Sequence, residues 1–487
     1  MLGRAVDRPV SLTPVHRREF LRIAALGGLA AATAPAWTRI FDAAAAGGGP
    51  YGPLGVPDAN AIALPAGFTS RVVATTGQVV PGTSYAWHVA PDGGSTFATG
   101  DGGWIYVSNS EATPGGAGMV RFNASGQVVD GRSILGGTTR NCAGGATPWG
   151  TWLSCEETTT GRVWECDPFG VNAAVVRPAL GAFNHEAAAV DPDRRHVYLT
   201  EDATAGGLYR FAPTTWPNLS AGTLSVLTEA GGVLGWATVP DPDGTPTPCK
   251  DQVATMKIFN GGEGAWYDRG KVFFTTKGDN RVWTYDPVAN SLTIIYDDST
   301  SPTPVLTGVD NITVSRSGDV FVAEDGGNMQ IVLVRDNGAT YPVIELPDVP
   351  GSEMTGPAFD PSGTRLYFSS QRNPGRTFEI AGPFRSAIPP STTTTSTTTT
   401  STTTTTRPVV ITLTATGRTQ GRKRVVDLRW SGATTSTVEV RRNGSVIATT
   451  AHDGAYTDNV SKATGTFRYR ISHPGGSPIS NEAIVTF

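Results

Sequence analysis

One pattern recurs six times along the central part of the chain. It is a short β-type run with an aromatic residue near its centre, followed by small polar residues and usually an acid. The central aromatic residues are Tyr106, Trp152, Tyr198, Phe273, Phe321 and Tyr367. Successive intervals between them are 46, 46, 75, 48 and 46 residues. A period near 46 residues is typical of a four-stranded propeller blade, and six copies predict a six-bladed β-propeller. We expect the long interval to hold an insertion, around the segment from Pro240 to Pro248.

The composition agrees with an all-β fold. The 487 residues include 59 Gly and 35 Pro, and only 16% are charged, whereas coiled coils and helical bundles are rich in Ala, Glu, Lys and Leu. The net charge of −4 gives no reason to expect a nucleic-acid partner. Four cysteines in so long a chain exclude a disulfide-dense scaffold. Cys155 and Cys166 flank one strand–turn segment and could form a local disulfide, while Cys249 has no evident partner.

The predicted propeller is one of four segments along the chain. These segments are a signal peptide with a mature N-terminal tail (1–46), the propeller (47–388), a Thr/Ser-rich linker (389–407) and a small second domain (408–487). Residues 391–406 are only Ser and Thr, so nothing there can be buried in a core. The second domain has alternating runs around an Asn443-Gly444 turn, a strong hairpin signal. It resembles a fibronectin type III-like β-sandwich, and we expect it to contact a cell-surface polymer or act as a spacer.

The N-terminal segment has the features of an export signal. Arg17 and Arg18 precede Phe-Leu-Arg, an apolar stretch from Ile23 to Ala34 and an Ala-Pro-Ala site. The arginine pair looks like a twin-arginine signal, and a general secretory signal is the alternative. About twelve apolar residues are too few to span a bilayer, which needs ~20, and no later segment is apolar enough. We therefore expect an extracellular, periplasmic or cell-surface protein without a transmembrane segment.

Acids recur at two equivalent places in the repeats. One place directly follows the aromatic strand, and the other lies upstream of the turn that leads into that strand. The candidate metal ligands among them are Glu111, Glu156, Glu157, Glu186, Glu201, Glu263, Asp310 and Glu353. The innermost strands of a propeller line its channel, so these acids should converge into a ring at one mouth. Converging carboxylates resist ionisation unless a cation compensates them, and Ca²⁺ takes six to eight oxygen ligands. Solvated turn acids and a glycosidase-type carboxylate pair are the alternatives.

Cys142 lies in a glycine-rich run that ends in Glu156-Glu157. In an exported protein a cysteine could form a disulfide. A thiolate beside carboxylates instead suits a transition metal, because soft sulfur favours iron, copper or zinc over calcium.

The run Asn-Cys-Ala-Gly-Gly-Ala-Thr-Pro-Trp-Gly-Thr-Trp-Leu-Ser-Cys-Glu-Glu, together with Phe183-Asn184-His185-Glu186 and the export signal, resembles the PhoX family of alkaline phosphatases. The resemblance spans about residues 55–385. It implies a six-bladed propeller that holds several Ca²⁺ and two Fe³⁺ ions, the irons being bridged by the Cys142 sulfur and an oxo group. It also implies hydrolysis of phosphate monoesters outside the cytoplasm. Ser110 and Arg372-Asn373 depart from the family's pattern, which more often has His at these places.

The expected function is therefore phosphomonoester hydrolysis of small phosphate esters by a monomer. Cys142, Arg140 and Arg372 are the predicted catalytic residues; the arginines are candidate phosphate clamps because guanidinium binds phosphate through two hydrogen bonds. A calcium-dependent lactonase or esterase would need one or two calcium ions and no thiolate. A non-catalytic cell-surface propeller with structural calcium is the third reading.

Overall fold

The computed structural model describes residues 49–301, 303–347, 349, 351–386, 412–420, 423–431, 437–443, 445–451, 454–461, 464–472, 480 and 483–487. The predicted export signal and the whole predicted linker lie outside these residues. The chain divides into two compact units, Met1–Ser391 and Thr392–Phe487, with the boundary inside the Ser/Thr run.

The first unit consists of antiparallel strands with short connections. Its strands are β1 (Thr69–Thr75), β2 (Pro91–Ala98), β3 (Trp104–Ser110), β4 (Gly115–Phe122), β5 (Val128–Thr138), β6 (Asn141–Ala146), β7 (Trp152–Glu156), β8 (Val163–Cys166), β9 (Val175–Val176), β10 (His185–Asp191), β11 (His196–Glu201), β12 (Leu208–Thr215), β13 (Asn218–Ala230), β14 (Val233–Thr238), β15 (Gly262–Asp268), β16 (Lys271–Thr276), β17 (Arg281–Asp286), β18 (Ser291–Asp297), β19 (Val309–Val314), β20 (Val320–Glu324), β21 (Gln330–Val334), β22 (Thr340–Glu345), β23 (Met354–Phe359), β24 (Arg365–Ser370) and β25 (Arg376–Ala381). Three 3₁₀ turns complete it: Pro178–Leu180, Cys249–Asp251 and Lys277–Asp279.

These strands form six sheets, which we number as blades one to six. The sheets are β2-β3-β4-β5, β6-β7-β8-β9, β10 to β14, β15 to β18, β19 to β22, and β23-β24-β25-β1. The first strands of the blades contact each other in the cyclic order β2, β6, β10, β15, β19, β23, and β23 returns to β2. The predicted all-β fold is therefore confirmed, and the six sheets follow one another in a closed ring, as a six-bladed propeller requires.

The repeated aromatic strands are the second strands of the blades, from β3 to β24. The long interval in the repeat contains the extra fifth strand β14 and the connection with the 3₁₀ turn Cys249–Asp251. The extra strand and this connection account for the 75-residue interval, in which the sequence predicted an insertion.

Buried aromatic rings join neighbouring blades. Tyr106 of blade one stacks on Tyr367 of blade six with ring centroids 5.0 Å apart, and both residues are fully buried. Tyr198 of blade three lies 5.8 Å from Tyr285 of blade four. Burying a large apolar side chain contributes roughly 1.5–3 kcal/mol, so the repeated aromatics account for much of the cohesion between blades.

The ring closes through the N-terminal strand β1, which pairs with β25. The carboxylate of Glu379 on β25 accepts hydrogen bonds from Arg71 of β1 (2.6 Å), Arg365 (2.6 Å) and the Tyr367 hydroxyl (2.6 Å). The last blade is thus built from both ends of the domain.

Small residues line the propeller axis. The innermost strands carry Gly93, Ala143, Gly264 and Gly356 where they approach most closely. A Cβ atom on Gly93 would lie 2.4 Å from the Cα of Ala143, closer than real Cβ atoms approach. The remaining central cavity is about 20 Å³, room for about one water molecule. The channel is therefore narrow below its mouth.

The second unit has two sheets. Its strands are β26 (Thr412–Gln420), β27 (Lys423–Ser431), β28 (Thr437–Arg442), β29 (Ser445–Ala451), β30 (Ala455–Ser461), β31 (Thr466–Ser472) and β32 (Ala483–Thr486). The sheet orders are β26-β27-β30 and β29-β28-β31-β32. Trp430 and Tyr469 lie in its core, and the Tyr469 hydroxyl donates to Asp458 (2.7 Å). The fibronectin type III-like assignment stays a prediction.

The suggested disulfide between Cys155 and Cys166 is wrong. All four cysteines, which lie within the described residues, are free and buried. Cys155 on β7 is opposite Val163, whereas Cys166 on β8 is opposite Trp152. The two cysteines are offset along the strand pair, and a disulfide needs Cβ atoms about 3.5–4.5 Å apart.

Within the described part of the chain, no helix has the length and apolar character needed to cross a membrane.

Candidate metal centre

The candidate site lies where the innermost strands of the six blades begin. Each of these strands has a register shift near its start. Such a β-bulge bends the strand and re-aims a side chain. In five blades the second residue of the strand bears an acid or a thiol. We call these residues the inner ring: Asp92, Cys142, Glu186, Glu263 and Asp310. Blade six has Thr355 there, whose hydroxyl donates to the Pro91 carbonyl (2.9 Å).

A second set of polar residues directly follows the second strand of each blade. We call it the outer ring: Glu111, Glu157, Asp202, Lys277, Asp325 and Gln371. Four members are carboxylates, one is an amine and one an amide. Glu353, just before β23, adds a further acid beside this ring. Equivalent turns of successive blades meet at the same mouth of the channel, which places both rings together.

Three groups of potential ligands lie within this cluster. Each consists of three side chains with ligand atoms within 4.8 Å of one another: Asp92–Glu111–Cys142, Cys142–Glu157–Glu186 and Glu186–Glu263–Asp310. The first two share the Cys142 sulfur, and the last two share Glu186. The groups therefore form a continuous row across blades one to five. Two groups contain a thiol, which suits a transition metal, and the third is all carboxylate, which suits a hard cation.

Glu186 shows that this row is suited to cations. Its side chain is fully buried, and neither carboxylate oxygen has a hydrogen-bond partner among the described residues. A buried ionised carboxylate without a partner is very costly, and so is a buried unpaired polar group. A cation shared by the two groups that contain Glu186 would satisfy both oxygens, so the residues present fit a bound metal.

The electrostatics of the cluster favour the same conclusion. Burial and the negative charge of Glu111 raise the pKa of Asp92 to about 7. Burial raises the pKa of Glu157 to about 8, although Arg140 opposes this, and burial with nearby Asp92 raises that of Glu353 to about 9. Burial also raises the pKa of the Cys142 thiol well above its usual value. Binding of cations would therefore displace protons from these groups.

Two half-exposed arginines lie on the solvent side of the cluster. Arg140 Nη2 is 2.8 Å from Glu111 Oε1 and 2.7 Å from Glu157 Oε2. Arg372 Nη2 is 2.8 Å from Glu353 Oε1 and 3.3 Å from Glu111 Oε2. Arg140 has a positive φ of 47°, a conformation that is uncommon outside glycine. The two guanidinium groups thus flank Glu111 at the entrance.

The family comparison covers this whole site. The family model described as alkaline phosphatase PhoX matches residues 89–173 and 159–375, which include every member of both rings. The chain belongs to the PhoX family of alkaline phosphatases.

One solved structure of a PhoX protein shares the fold of this chain. Pseudomonas fluorescens PhoX, in complex with the transition-state analogue vanadate, is 18% identical to this chain. The match covers 69% of this chain and 98% of that one, with a TM-score of 0.58. A gluconolactonase from Xanthomonas campestris is 12% identical over 69% of this chain and 99% of its own, with a TM-score of 0.40. No curated protein sequence matches the chain.

Most of the residues predicted from the sequence come together at this PhoX site. Six of the nine predicted ligands are members of the three groups: Glu111, Cys142, Glu157, Glu186, Glu263 and Asp310. Glu353 adjoins them, since Arg372 bridges it to Glu111. Arg140 and Arg372, the predicted phosphate clamps, lie at the entrance, and their role stays a prediction.

Two predicted ligands are not brought into the row. The carboxylate of Glu156 accepts hydrogen bonds from the backbone N–H groups of Thr139 (2.9 Å) and Arg162 (3.1 Å). Glu201 accepts from the Gly207 N–H (3.0 Å) and the Tyr209 hydroxyl (2.7 Å). Glu201 thus accepts from donors of its own blade, and Glu156 from its own blade and from the connection between blades one and two.

The sequence reasoning missed Asp92, Asp202, Lys277 and Asp325. Asp92 is the inner-ring residue of blade one, and its carboxylate accepts a hydrogen bond from the Gly93 N–H (2.6 Å). The sequence pattern does not locate Asp92 well, because the connection between the first two strands varies in length from blade to blade. The distance from the inner-ring residue to the repeated aromatic residue is therefore not constant. Asp202 and Asp325 each follow a glutamate that ends a strand. These pairs of adjacent acids are the sequence feature from which the two aspartates could have been predicted.

Proposed function

We propose that this PhoX family member is an exported phosphatase that hydrolyses phosphate monoesters at a mixed iron and calcium cluster in the propeller mouth. The observation that carries the proposal is the position of Glu186, whose buried, unpaired carboxylate belongs both to a thiol-containing group and to an all-carboxylate group. One ligand row thus offers two kinds of site side by side. The export route rests on Arg17 and Arg18 in the sequence.

The donor chemistry divides the row. Asp92, Glu111, Cys142, Glu157 and Glu186 would hold the iron pair, because they surround the thiol. Glu186, Glu263 and Asp310 would hold calcium through oxygen ligands alone. When bound, such ions polarise phosphoryl oxygens and lower the pKa of bound water.

The remaining chemistry belongs to protein side chains. Phosphoryl transfer develops charge on three equatorial oxygens and depends on charge neutralisation and alignment. Arg140 makes its described contacts through Nε and Nη2, and Arg372 through Nη2. The Nη1 group of each arginine can therefore donate a hydrogen bond to a phosphate oxygen while its ion pairs keep the guanidinium in place.

The narrow channel restricts the substrate to one side. Gly93, Ala143, Gly264 and Gly356 line a cavity of only about 20 Å³ below the ligand row, which is too small for an ester to pass, so we expect the ester to enter from the solvent face. We expect a small phosphate group to approach the row between the two arginines, with its alcohol part directed outwards. This geometry agrees with small phosphate esters as the substrate class.

The test compares Cys142→Ala with Cys155→Ala in full-length protein recovered through its own export pathway. Both cysteines are buried and free, but only Cys142 lies in the ligand row. Metal content by mass spectrometry should show iron and calcium in the wild type and the control. Cys142→Ala should lose iron and at least about 10³-fold of its p-nitrophenyl phosphate hydrolysis, the size of a lost key catalytic element. Full iron content and activity in Cys142→Ala would refute the assignment.

A further inference from the structure

Lys277 occupies a position that carries a carboxylate in four other blades. The outer-ring residues of blades one, two, three and five are Glu111, Glu157, Asp202 and Asp325. In blade four the residue that follows β16 is Lys277, so the charge at this place is reversed. Neither the repeat nor the ligand groups of the row explain a cationic side chain there.

The ammonium group of Lys277 joins two blades. Its Nζ is 2.9 Å from Oε1 of Glu263, the inner-ring acid of the same blade. It is also 3.3 Å from Oδ2 of Asp325, the outer-ring acid of blade five. The group thus bridges an inner-ring and an outer-ring carboxylate of neighbouring blades, as a cation bound between the rings would.

The backbone of Lys277 is firmly held. Its N–H donates to the Gly261 carbonyl (2.8 Å), and the next N–H, that of Gly278, donates to the Asn260 carbonyl (2.9 Å). A Cβ at Gly278 would lie 2.4 Å from the Asn260 side chain. The 3₁₀ turn Lys277–Asp279 is therefore packed tightly against the preceding loop, which aims the lysine towards the cluster.

Carboxylates of three blades surround this amine. Glu263 and Asp325 contact it directly, and Asp310 and Asp202 are also close enough to act on it electrostatically. The lysine side chain therefore lies inside the acidic cluster.

We propose that the Lys277 ammonium takes the place of one divalent cation between blades four and five. This chain would then bind one metal ion fewer than it would with a carboxylate at position 277. This inference rests on the proposed metal centre but not on phosphatase activity. Lys277 is a positioning residue: its ammonium bridges one oxygen of Glu263 to Asp325, while Glu263 stays in the third ligand group with Glu186 and Asp310.

The test measures Ca²⁺ stoichiometry in full-length protein by equilibrium dialysis with radioactive calcium. Lys277→Asp restores the acid that four other blades carry, and Lys277→Met removes the charge at similar length. Both variants should bind one more Ca²⁺ per chain than the wild type. Lys277→Arg keeps the charge and should bind the wild-type number. Lys257→Met is the matched control, because Lys257 pairs with Glu229 outside the cluster (2.6 Å).

The outcomes separate this inference from the proposed function. If the wild type contains iron and calcium and hydrolyses esters, but the Lys277→Asp and Lys277→Met variants bind the wild-type number of Ca²⁺ ions, the lysine inference is wrong and the function stands. If the wild type is inactive and free of iron, the function fails, and a gain of one Ca²⁺ in these variants still supports the inference. A gain in Lys257→Met would overturn it. Near-UV circular dichroism identifies any variant that fails to fold; the remaining variants then decide.

Discussion

Replacing Asp92 by Asn should make the metal-free propeller more stable in alkaline solution. Asp92 is almost completely buried, and burial together with Glu111 raises its pKa from 3.8 to about 7. A carboxyl group whose pKa is higher in the folded state favours folding below its unfolded pKa, and this contribution is lost as the pH rises through the folded pKa. Metal-free wild type should therefore lose stability as the pH rises from about 4 to above 7.

The magnitude follows from the shift itself. Each pKa unit corresponds to about 1.36 kcal/mol, so a rise from 3.8 to about 7 represents about 4 kcal/mol at pH 9. This is a large part of the 5–15 kcal/mol that stabilises a typical protein. Asn cannot ionise, and its side-chain oxygen can still accept the hydrogen bond from the Gly93 N–H. The variant should match the wild type at pH 4 and exceed it by about 4 kcal/mol at pH 9.

The assay is urea unfolding in the presence of a chelator at pH 4, 7 and 9, followed by tryptophan fluorescence. Nine of the eleven tryptophans lie between Trp87 and Trp283, so the signal reports the propeller. Asp336→Asn, at an exposed turn of blade five, serves as the control and should follow the wild-type pH profile. With metals restored, Asp92→Asn should gain less stability than the wild type because it lacks one anionic ligand.

Two results would refute the reasoning. One is a metal-free wild type that is equally stable at pH 4 and pH 9. The other is an Asp92→Asn profile parallel to the wild type, which would mean that Asp92 does not carry the burial cost assigned to it.

Two further predictions concern the scaffold. Gly264→Ala should lower the free energy of unfolding by about 1–3 kcal/mol, because its Cβ would lie 2.7 Å from the Asn311 Cα; Gly100→Ala, with nothing within 4 Å, should be nearly neutral in the same urea titration. Glu379→Ala should lower the free energy of unfolding by about 2–3 kcal/mol. This is less than the loss expected on breaking a fully buried ion pair, because Arg71 and Arg365 are partly exposed. A thermal midpoint equal to that of the wild type would show that these ring-closing ion pairs contribute nothing to stability.

The fold was predictable because its signal is repeated. The aromatic spacing gave the number of blades, and the exceptional 75-residue interval located the extra strand β14. Four of the five intervals between the repeated aromatic residues are 46 to 48 residues long, so the one unusual blade does not hide the period.

The site was only partly predictable, because ligand positions depend on the phase of each strand. Successive residues of a strand point to opposite faces, so Glu157 enters the cluster while the adjacent Glu156 binds backbone N–H groups. Hairpin length also varies: ten residues separate Cys142 from Trp152, but fourteen separate Asp92 from Tyr106. The sequence alone does not reveal which side of the strand an acid faces.

The pairing of β1 with β25 has a consequence for the order of events during synthesis. The outer strand of blade six, β1, is made first and has no partner until β25 has been made, at Ala381. The ligand row draws its members from five blades. A nascent or truncated chain therefore lacks the closed ring that brings the row together. Metal uptake would then act as a check on completeness: only a finished domain would acquire its ions, and a chain broken near Ala381 would remain empty even though every ligand residue had been made.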